Sequence, residues 1–369
     1  MLEDNVFQKR ADRVRNHILE TDSDFVFLTP SPAFQYLTGL DLELSERLVG
    51  LLLTADDVPK IIAPAFEVSN LSSGTWIDEI LPWEEEENPC SIISDTLSSK
   101  TAGYSVLLDN SLPLGVYWSL EKTIGGFKSA ASLTPYLGEM RLIKSPEELD
   151  LIKKAGRIID GAVMLAFSKA QLGMTEMEMK QIVQNEIIRL NAKPTFAAVQ
   201  FGENSALPHA HPSNRELSKH DIILLDCGCS QGGYNTDMTR VGVAGEPTGE
   251  QERVHSVVLE AEQTAIEKIA PGLACGKADG IARRIIEESG YGEYFTHRLG
   301  HGIGIEVHEP PYLVRGNSRE LRVGMTHSVE PGIYLEGKFG IRVEDLVCVK
   351  DGGSEILTYS PRNLIEIDV

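Results

Sequence analysis

Four acidic side chains in the C-terminal half of the chain sit on strand-like segments. Asp226 closes Ile222-Ile-Leu-Leu, and Asp237 stands eleven residues on, inside Tyr234-Asn-Thr-Asp-Met-Thr239-Arg240. Glu330 lies in Ser328-Val-Glu-Pro-Gly-Ile-Tyr334, and Glu344 in Ile341-Arg342-Val-Glu-Asp345. A carboxylate at the end of a buried strand needs a partner. One such acid is as readily half of an ion pair, but Arg240 and Arg342 are too few to neutralise four. His301 stands between Gly300 and Gly302, with Gly304 beyond, small neighbours that let an imidazole and its backbone approach a ligand closely. His308 follows Val307 and precedes Pro310-Pro311. Four carboxylates with one imidazole carry about −4, a charge that two divalent cations balance, and an oxygen-rich set with one imidazole suits Mn, Co, Fe or Zn. Metals ~3.5–4 Å apart hold a bridging water as hydroxide near neutral pH and polarise a carbonyl, which is hydrolytic chemistry.

Several familiar motifs fail. His308-Glu309 opens like H-E-x-x-H, but the two prolines forbid that helix and position 312 is Tyr. Gly272 to Lys277 resembles a phosphate loop one residue short, with Ala278 where Ser or Thr belongs. Gly228-Cys-Ser230-Gln-Gly232 matches G-x-S-x-G after a strand, yet the nucleophile elbow needs a helix next, and Gly233-Tyr234-Asn235 reads as turn then strand. The cysteines, Cys90, Cys227, Cys229, Cys275 and Cys348, are odd in number and lack a C-x-x-C pair, so they are expected as buried thiols rather than a disulfide framework or a zinc site.

The elements that position these residues come from a chain of 369 residues, 42% hydrophobic, long enough for about two domains of ~150 residues. No apolar run approaches the ~18 residues of a membrane helix. The N-terminal MLEDNVFQKR is acidic where a signal peptide is basic, so a cytoplasmic protein is expected. With 34 basic against 55 acidic side chains the net charge is −21, which repels nucleic acid and anionic membrane surfaces alike. Residues 1–138 alternate helical and strand patterns: helix over Asp4–Glu20, strands at Phe25–Leu28, Leu48–Leu53, Ile61-Ile62 and Ser105–Leu108, helices near Pro89–Ser98 and Val116–Glu121. This is a small α/β domain without a catalytic cluster. A second domain, residues 139–369, opens with Ser145-Pro146-Glu147-Glu148, a capping box that starts a long amphipathic helix running to about Ala170. This domain shows a faint duplication. Helix, Leu172-Gly173-Met174, helix Glu176–Leu190 and His209 are echoed by helix Glu250–Ile269, Pro271-Gly272-Leu273, helix Lys277–Ser289 and His308. Strands are expected at Ile222–Asp226 and Asp237–Val241 in the first half, and at Met325–Glu330 and Ile341–Val349 in the second.

From about Leu142 onward the chain resembles the pita-bread (M24-type) metallopeptidases: Xaa-Pro dipeptidase (prolidase), aminopeptidase P and methionine aminopeptidase. The resemblance is carried by Asp226, Asp237, His301, Glu330 and Glu344, in order, within LDCG, YNTDMTR, GHGIGIEVHEPP, VEPGIY and RVED. The N-terminal domain resembles the creatinase/prolidase-like domain of the prolidase and aminopeptidase P branch. The resemblance implies an α/β (α+β) protein whose pita-bread domain has a curved antiparallel sheet and pseudo-twofold halves. It implies two divalent metal ions per subunit, manganese or cobalt first and zinc or iron next, with Asp226 on one, His301 and Glu330 on the other, and Asp237 and Glu344 between. Glu330 would also be the general base, and His209 and His308 would face the scissile carbonyl. Thr239, Arg342 and Tyr234 are expected to orient ligands, and Phe196 and Val307 to line a proline-ring pocket. The implied substrate is a proline-containing dipeptide or short peptide, and the implied assembly a homodimer. Some prolidases bind the substrate carboxylate through an arginine where this chain has Tyr312; Tyr312 is itself expected on the substrate side, and Arg315 is the candidate to replace that arginine. Without such a cation, aminopeptidase P activity on longer peptides is the alternative, and another small C–N substrate, as in creatinase and ectoine hydrolase relatives, a second.

Overall fold

The structure, a computed structural model, describes residues 2–97, 100, 103–208 and 210–368. The chain forms two compact units, Met1–Met140 and Arg141–Val369. Among the described residues no helix is long and apolar enough to cross a membrane.

In the N-terminal unit the elements run α1 (Asp4–Glu20), β1 (Phe25–Leu28), α2 (Pro32–Thr38), β2 (Gly50–Thr54), β3 (Lys60–Pro64), α3 (Val68–Ser72), β4 (Glu79–Trp83), α4 (Pro89–Thr96), β5 (Tyr104–Leu108), α5 (Leu114–Thr123), β6 (Phe127–Ser132) and α6 (Thr134–Leu142), the last of which leads into the next unit. Ser98, expected to end the helix that begins at Pro89, lies outside the described residues. The six strands form one mixed sheet in the order β4-β3-β2-β1-β5-β6. Phe25, Phe27, Leu52, Ile62 and Val106 build its core. Runs such as Phe25–Leu28 and Gly50–Leu53 are buried at every position, which is why they read as unbroken apolar stretches.

The C-terminal unit holds α7 (Pro146–Lys169), α8 (Glu176–Arg189), β7 (Lys193–Phe201), β8 (Ile222–Gln231), β9 (Tyr234–Ala244), α9 (Gly249–Lys268), α10 (Cys275–Glu288), β10 (Gly300–Gly302), β11 (Glu309–Leu313), β12 (Thr326–Val329), β13 (Gly332–Leu335), β14 (Phe339–Arg342), β15 (Asp345–Lys350), β16 (Gly353–Ile356) and β17 (Ile365–Ile367). Its sheets are ordered β17-β9-β8-β7 and β11-β10-β12-β15-β16, with β13-β14 a separate pair. Ser145, Thr175 and Thr248 close capping boxes with Glu148, Glu178 and Gln251 and so start α7, α8 and α9. The two helix pairs turn at Gly173 and Gly272, whose φ of +79° and +86° exclude most side chains. One core, with Ile159, Val163, Met179 and Val199, lies under α7 and α8. The other, with Val254, Val258, Ile286 and Val347, lies under α9 and α10. This is the pita-bread arrangement, two helix-pair-and-sheet halves.

β8 explains its own sequence. Ile222 and Leu224 join the second core while Ile223 and Leu225 join the first, so both strand faces are buried. The strand then turns at Gly232-Gly233, both at positive φ, into β9. Ser230 thus lies on a hairpin strand and has no following helix. One expected strand is corrected. Ile341–Val349 does not form a single element; β14 ends at Arg342 and pairs with β13, while β15 starts at Asp345 and pairs with β12. Glu344 lies in the break between them, where the chain changes partners.

A buried guanidinium secures that break. Arg240 uses all five of its donors. Nη1 reaches the carbonyls of Thr239 (2.9 Å) and Glu344 (2.6 Å), Nη2 reaches Asp345 Oδ1 (2.6 Å) and the Ser360 carbonyl (2.9 Å), and Nε reaches the Ser360 carbonyl (3.1 Å). Asp345 also accepts from Thr358 Oγ1 (2.6 Å) and from Arg362. Removing one side of a buried pair strands the other charge. Arg240→Met is therefore expected to lower the stability of the C-terminal unit by about 3–5 kcal/mol, read from urea unfolding of the metal-free protein.

Candidate metal centre and its cavity

Strand register brings the four carboxylates together. In the β8–β9 hairpin Asp226 pairs with Thr239 and Gly228 with Asp237. Side chains two apart share a face, so Asp226 and Asp237 are diagonal neighbours on one side of the hairpin, with the glycine leaving room between them. In β12–β15, Val329 pairs with Asp345. One step further along that register Glu330 stands opposite Glu344. The two acid pairs meet where Glu344 and Thr239 form an isolated bridge, the Glu344 N–H donating to the Thr239 carbonyl at 3.2 Å. His301 enters on β10, next to β12. Its glycine neighbours have a packing reason: a Cβ on Gly300 would stand 2.1 Å from the Ser328 carbonyl oxygen, and one on Gly302 2.2 Å from that of Pro310.

Ligand-type atoms within 4.8 Å of one another form three groups: Asp226–Asp237–Glu344, His301–Glu330–Glu344 and Asp237–His301–His308. Among the described residues every such group lies in the C-terminal unit. His301 Nε2 is 3.3 Å from Glu330 Oε1 and 3.6 Å from Asp237 Oδ2. Its Nδ1 lies 3.0 Å from the Gly302 carbonyl, which fixes the proton there and leaves Nε2 a lone pair facing the acids. Thr239 Oγ1 donates to Glu344 Oε2 (2.7 Å), Arg342 Nη2 donates to Asp226 Oδ2 (2.5 Å), and Ser328 Oγ donates to Glu330 Oε1 (3.0 Å). Asp237 Oδ1 and Glu344 Oε1 are buried and accept no hydrogen bond among the described residues. Burial, then the Glu344 and Asp226 charges, pushes Asp237 well above the usual carboxylate range. Burial and Glu330 do the same to Glu344, and burial raises Glu330. Burial also holds His301 down, to about 4, so it is a neutral imidazole at pH 7. Orphaned carboxylate oxygens, a neutral imidazole and one arginine for four acids are a donor set that fits divalent cations.

The acids line one wall of a cavity of about 770 Å³. Phe196 and Val307 line it, and so does His308, whose ring meets that of His301 edge-on at 4.1 Å. His209 lies outside the described residues; His211 is on the wall. Three expectations are corrected. Arg315 does not line the cavity; its side chain is 75% exposed and pairs with Glu287 at 3.4 Å. The arginine on the wall is Arg298, stacked over the Tyr312 ring at 4.5 Å, so Tyr312 carries the cation instead of lining the cavity itself. Tyr234 is turned away from the acids and donates to Glu148 on α7 (2.7 Å). The tyrosine linked to the acids through Arg342 is Tyr334: its hydroxyl accepts from Arg342 Nη1 (2.7 Å) and lies 2.9 Å from His297 Nε2. His297, Arg298, Ser328 and Tyr334 had no spacing signal of their own; their nearness in sequence to His301 and Glu330 was the only clue.

Residues 150–351 match the model of metallopeptidase family M24, and residues 10–143 that of the creatinase/prolidase N-terminal domain. The chain belongs to metallopeptidase family M24. It is 31% identical over 358 residues to the Xaa-Pro dipeptidase of Lactobacillus delbrueckii subsp. lactis, covering 96% of this chain and 97% of that one. It is 32% identical over 359 residues to the Xaa-Pro dipeptidase of Lactobacillus helveticus, with the same coverage. The crystal structure of a recombinant prolidase from Thermococcus sibiricus superposes with a TM-score of 0.91 at 34% identity, covering 99% of this chain and 100% of that one.

In the metal-free protein, Asp237, Glu344 and Glu330 have folded-state pKa values above their unfolded ones, so the fold binds extra protons. The stability these groups contribute is fully present below pH ~4 and is lost as pH rises through their folded values. Chelated protein is expected to lose melting temperature from pH 4 toward neutrality, manganese-loaded protein to lose much less, and manganese addition at pH 6.5 to release protons. Thermal melts with chelator or manganese and a pH-stat titration check this.

Proposed function

We propose that the chain hydrolyses Xaa-Pro dipeptides with two divalent cations, Asp226 holding one, His301 and Glu330 the other, and Asp237 and Glu344 lying between. The observation that carries this is the pair of ligand groups that share Glu344, Asp226–Asp237–Glu344 and His301–Glu330–Glu344. A single cation does not need both. The two relatives named Xaa-Pro dipeptidase, alike over almost the whole chain, support the substrate class. Bound divalent cations supply Lewis acidity and make water ionise near neutral pH.

The protein's own groups do the rest. Glu330, raised by burial, takes the proton of the attacking water. Burial and the adjacent His301 hold His308 below the usual imidazole range, so it is a neutral N–H donor to the scissile carbonyl oxygen as that atom gains charge. His209 shares the substrate side in this proposal. Phe196 and Val307 give the proline ring an apolar wall. Arg298 takes the C-terminal carboxylate in this proposal; Arg342, also on the wall, is committed to Asp226, Tyr334 and Thr239. We place manganese or cobalt, a homodimer and a cytoplasmic location in the same proposal; these rest on the family resemblance.

A panel of Xaa-Pro, Xaa-Pro-Xaa and non-proline dipeptides, assayed with Mn, Co and Zn, tests the activity. Preference for Xaa-Pro is expected; preference for the longer peptides would assign the chain to aminopeptidase P chemistry. Loss of a charge-assisted contact of about 1.5–3 kcal/mol means that Arg298→Ala raises KM for the dipeptide ~10- to 100-fold with kcat nearly kept, while Arg315→Ala changes neither. Glu344→Gln is expected to abolish turnover and lower bound metal, measured by elemental analysis.

A further inference from the structure

We propose that Lys144 and Arg141 are positioning residues for His308, acting through Glu309. The inference rests on the role given to His308 above. Between β10 and β11 the chain runs through 303–308 with no strand or helix of its own, bending over 304–308. This stretch carries Val307 and His308 on the cavity wall, and a loop without a ladder needs other contacts to hold a fixed shape.

Thr326 Oγ1 donates to the Ile303 carbonyl (2.7 Å) and the Gly304 N–H to the Glu306 carbonyl (3.1 Å), and two further sets of contacts hold the stretch. At its start, the Asn235 backbone N–H donates to the Gly304 carbonyl (2.8 Å), and Asn235 Nδ2 donates to the carbonyls of Gly304 (3.1 Å) and Ile305 (2.7 Å). At its end stands Glu309, next in sequence to His308 and with a side chain only 2% exposed. Lys144, its side chain 1% exposed, donates through Nζ to Glu309 Oε1 at 2.6 Å and to the Arg141 carbonyl at 2.8 Å. Arg141 donates to Glu309 Oε2 and to Glu306 Oε2, the latter at 2.7 Å. Glu309 Oε2 also accepts the Glu306 N–H at 3.3 Å, which closes the turn around Val307 and His308. The loop lies directly on the charges: a Cβ on Gly304 would be 2.6 Å from Glu309 Oε1 and 2.9 Å from Lys144 Cε.

A buried ion pair adds little net stability over an apolar filling of the same volume. Its fixed donor and acceptor directions do define one position for the backbone that carries them. Here that backbone is the residue after His308, and the cations come from Arg141-Leu-Ile-Lys144, the segment that leads into α7. Misplacing a catalytic group by ~1 Å costs about 100-fold in rate.

The test uses the manganese-loaded full chain and an Xaa-Pro dipeptide. Lys144→Met leaves Glu309 short of a partner in the interior and can cost the fold, so Lys144→Met/Glu309→Gln, which removes both charges, is run beside it. Either variant is expected to lower kcat ~10- to 100-fold with KM and bound metal near those of the parent, and to raise amide hydrogen exchange over 303–309. In a His308→Ala background the same changes are expected to alter kcat less than about twofold, because the group they position is gone. Equal fold losses in the two backgrounds, or unchanged exchange over 303–309, would overturn the proposal. If the parent enzyme itself turns over no Xaa-Pro dipeptide, the functional assignment fails, and the exchange measurement still decides whether these cations hold the loop.

Discussion

Four carboxylates inside a few ångströms of each other, largely out of water, form the constraint that organises the C-terminal unit. Left to themselves such groups repel, and burial raises the cost of each charge. Arg342 offsets part of it at Asp226, and Thr239 and Ser328 supply hydrogen bonds to Glu344 and Glu330. Asp237 Oδ1 and Glu344 Oε1 are buried and have no donor among the described residues. A fold keeps such a cluster only if something positive settles into it or if protons do. The choice between cations and protons links stability, pH and chemistry in this molecule.

The supporting structure is layered by distance from the acids. Closest are groups that touch a carboxylate directly: Thr239, Ser328 and Arg342. Behind them Tyr334 joins Arg342 to His297, and Arg240 holds the carbonyls of Thr239 and Glu344 in one plane of hydrogen bonds. Further out, Asp345, Thr358 and Arg362 fix Arg240. Each layer consumes the donors of the next, which is why a guanidinium with all five donors satisfied lies so deep in the interior.

Much of this was legible in the chain itself. The capping box at Ser145 and the long α7 appeared where expected, because capping is local chemistry that three or four residues determine. The five metal-type residues stood out because apolar runs ending in acids are uncommon and glycines around a histidine are informative. What was not legible required knowledge of pairing. Ile341–Val349 reads as one strand, since nothing local shows that the chain changes partners at Val343-Glu344. Tyr234 and Tyr334 are equally suited to orient ligands by type and by nearness to an acid; only the register sends one to Glu148 and the other to Arg342. Arg315 and Arg298 differ likewise, both a few residues from a cavity histidine, one facing solvent and one stacked on an aromatic ring.

The bridge between Thr239 and Glu344 has a wider consequence. It ties the hairpin of one helix-pair half to the strand break of the other, and it does so at the centre of the acidic cluster. The seam of the duplicated architecture and its chemical workplace are the same spot. An ion gripped by side chains from both halves would therefore also be a rivet: with it in place the two halves would be held together, and whatever dislodged it would loosen the domain along the line between them.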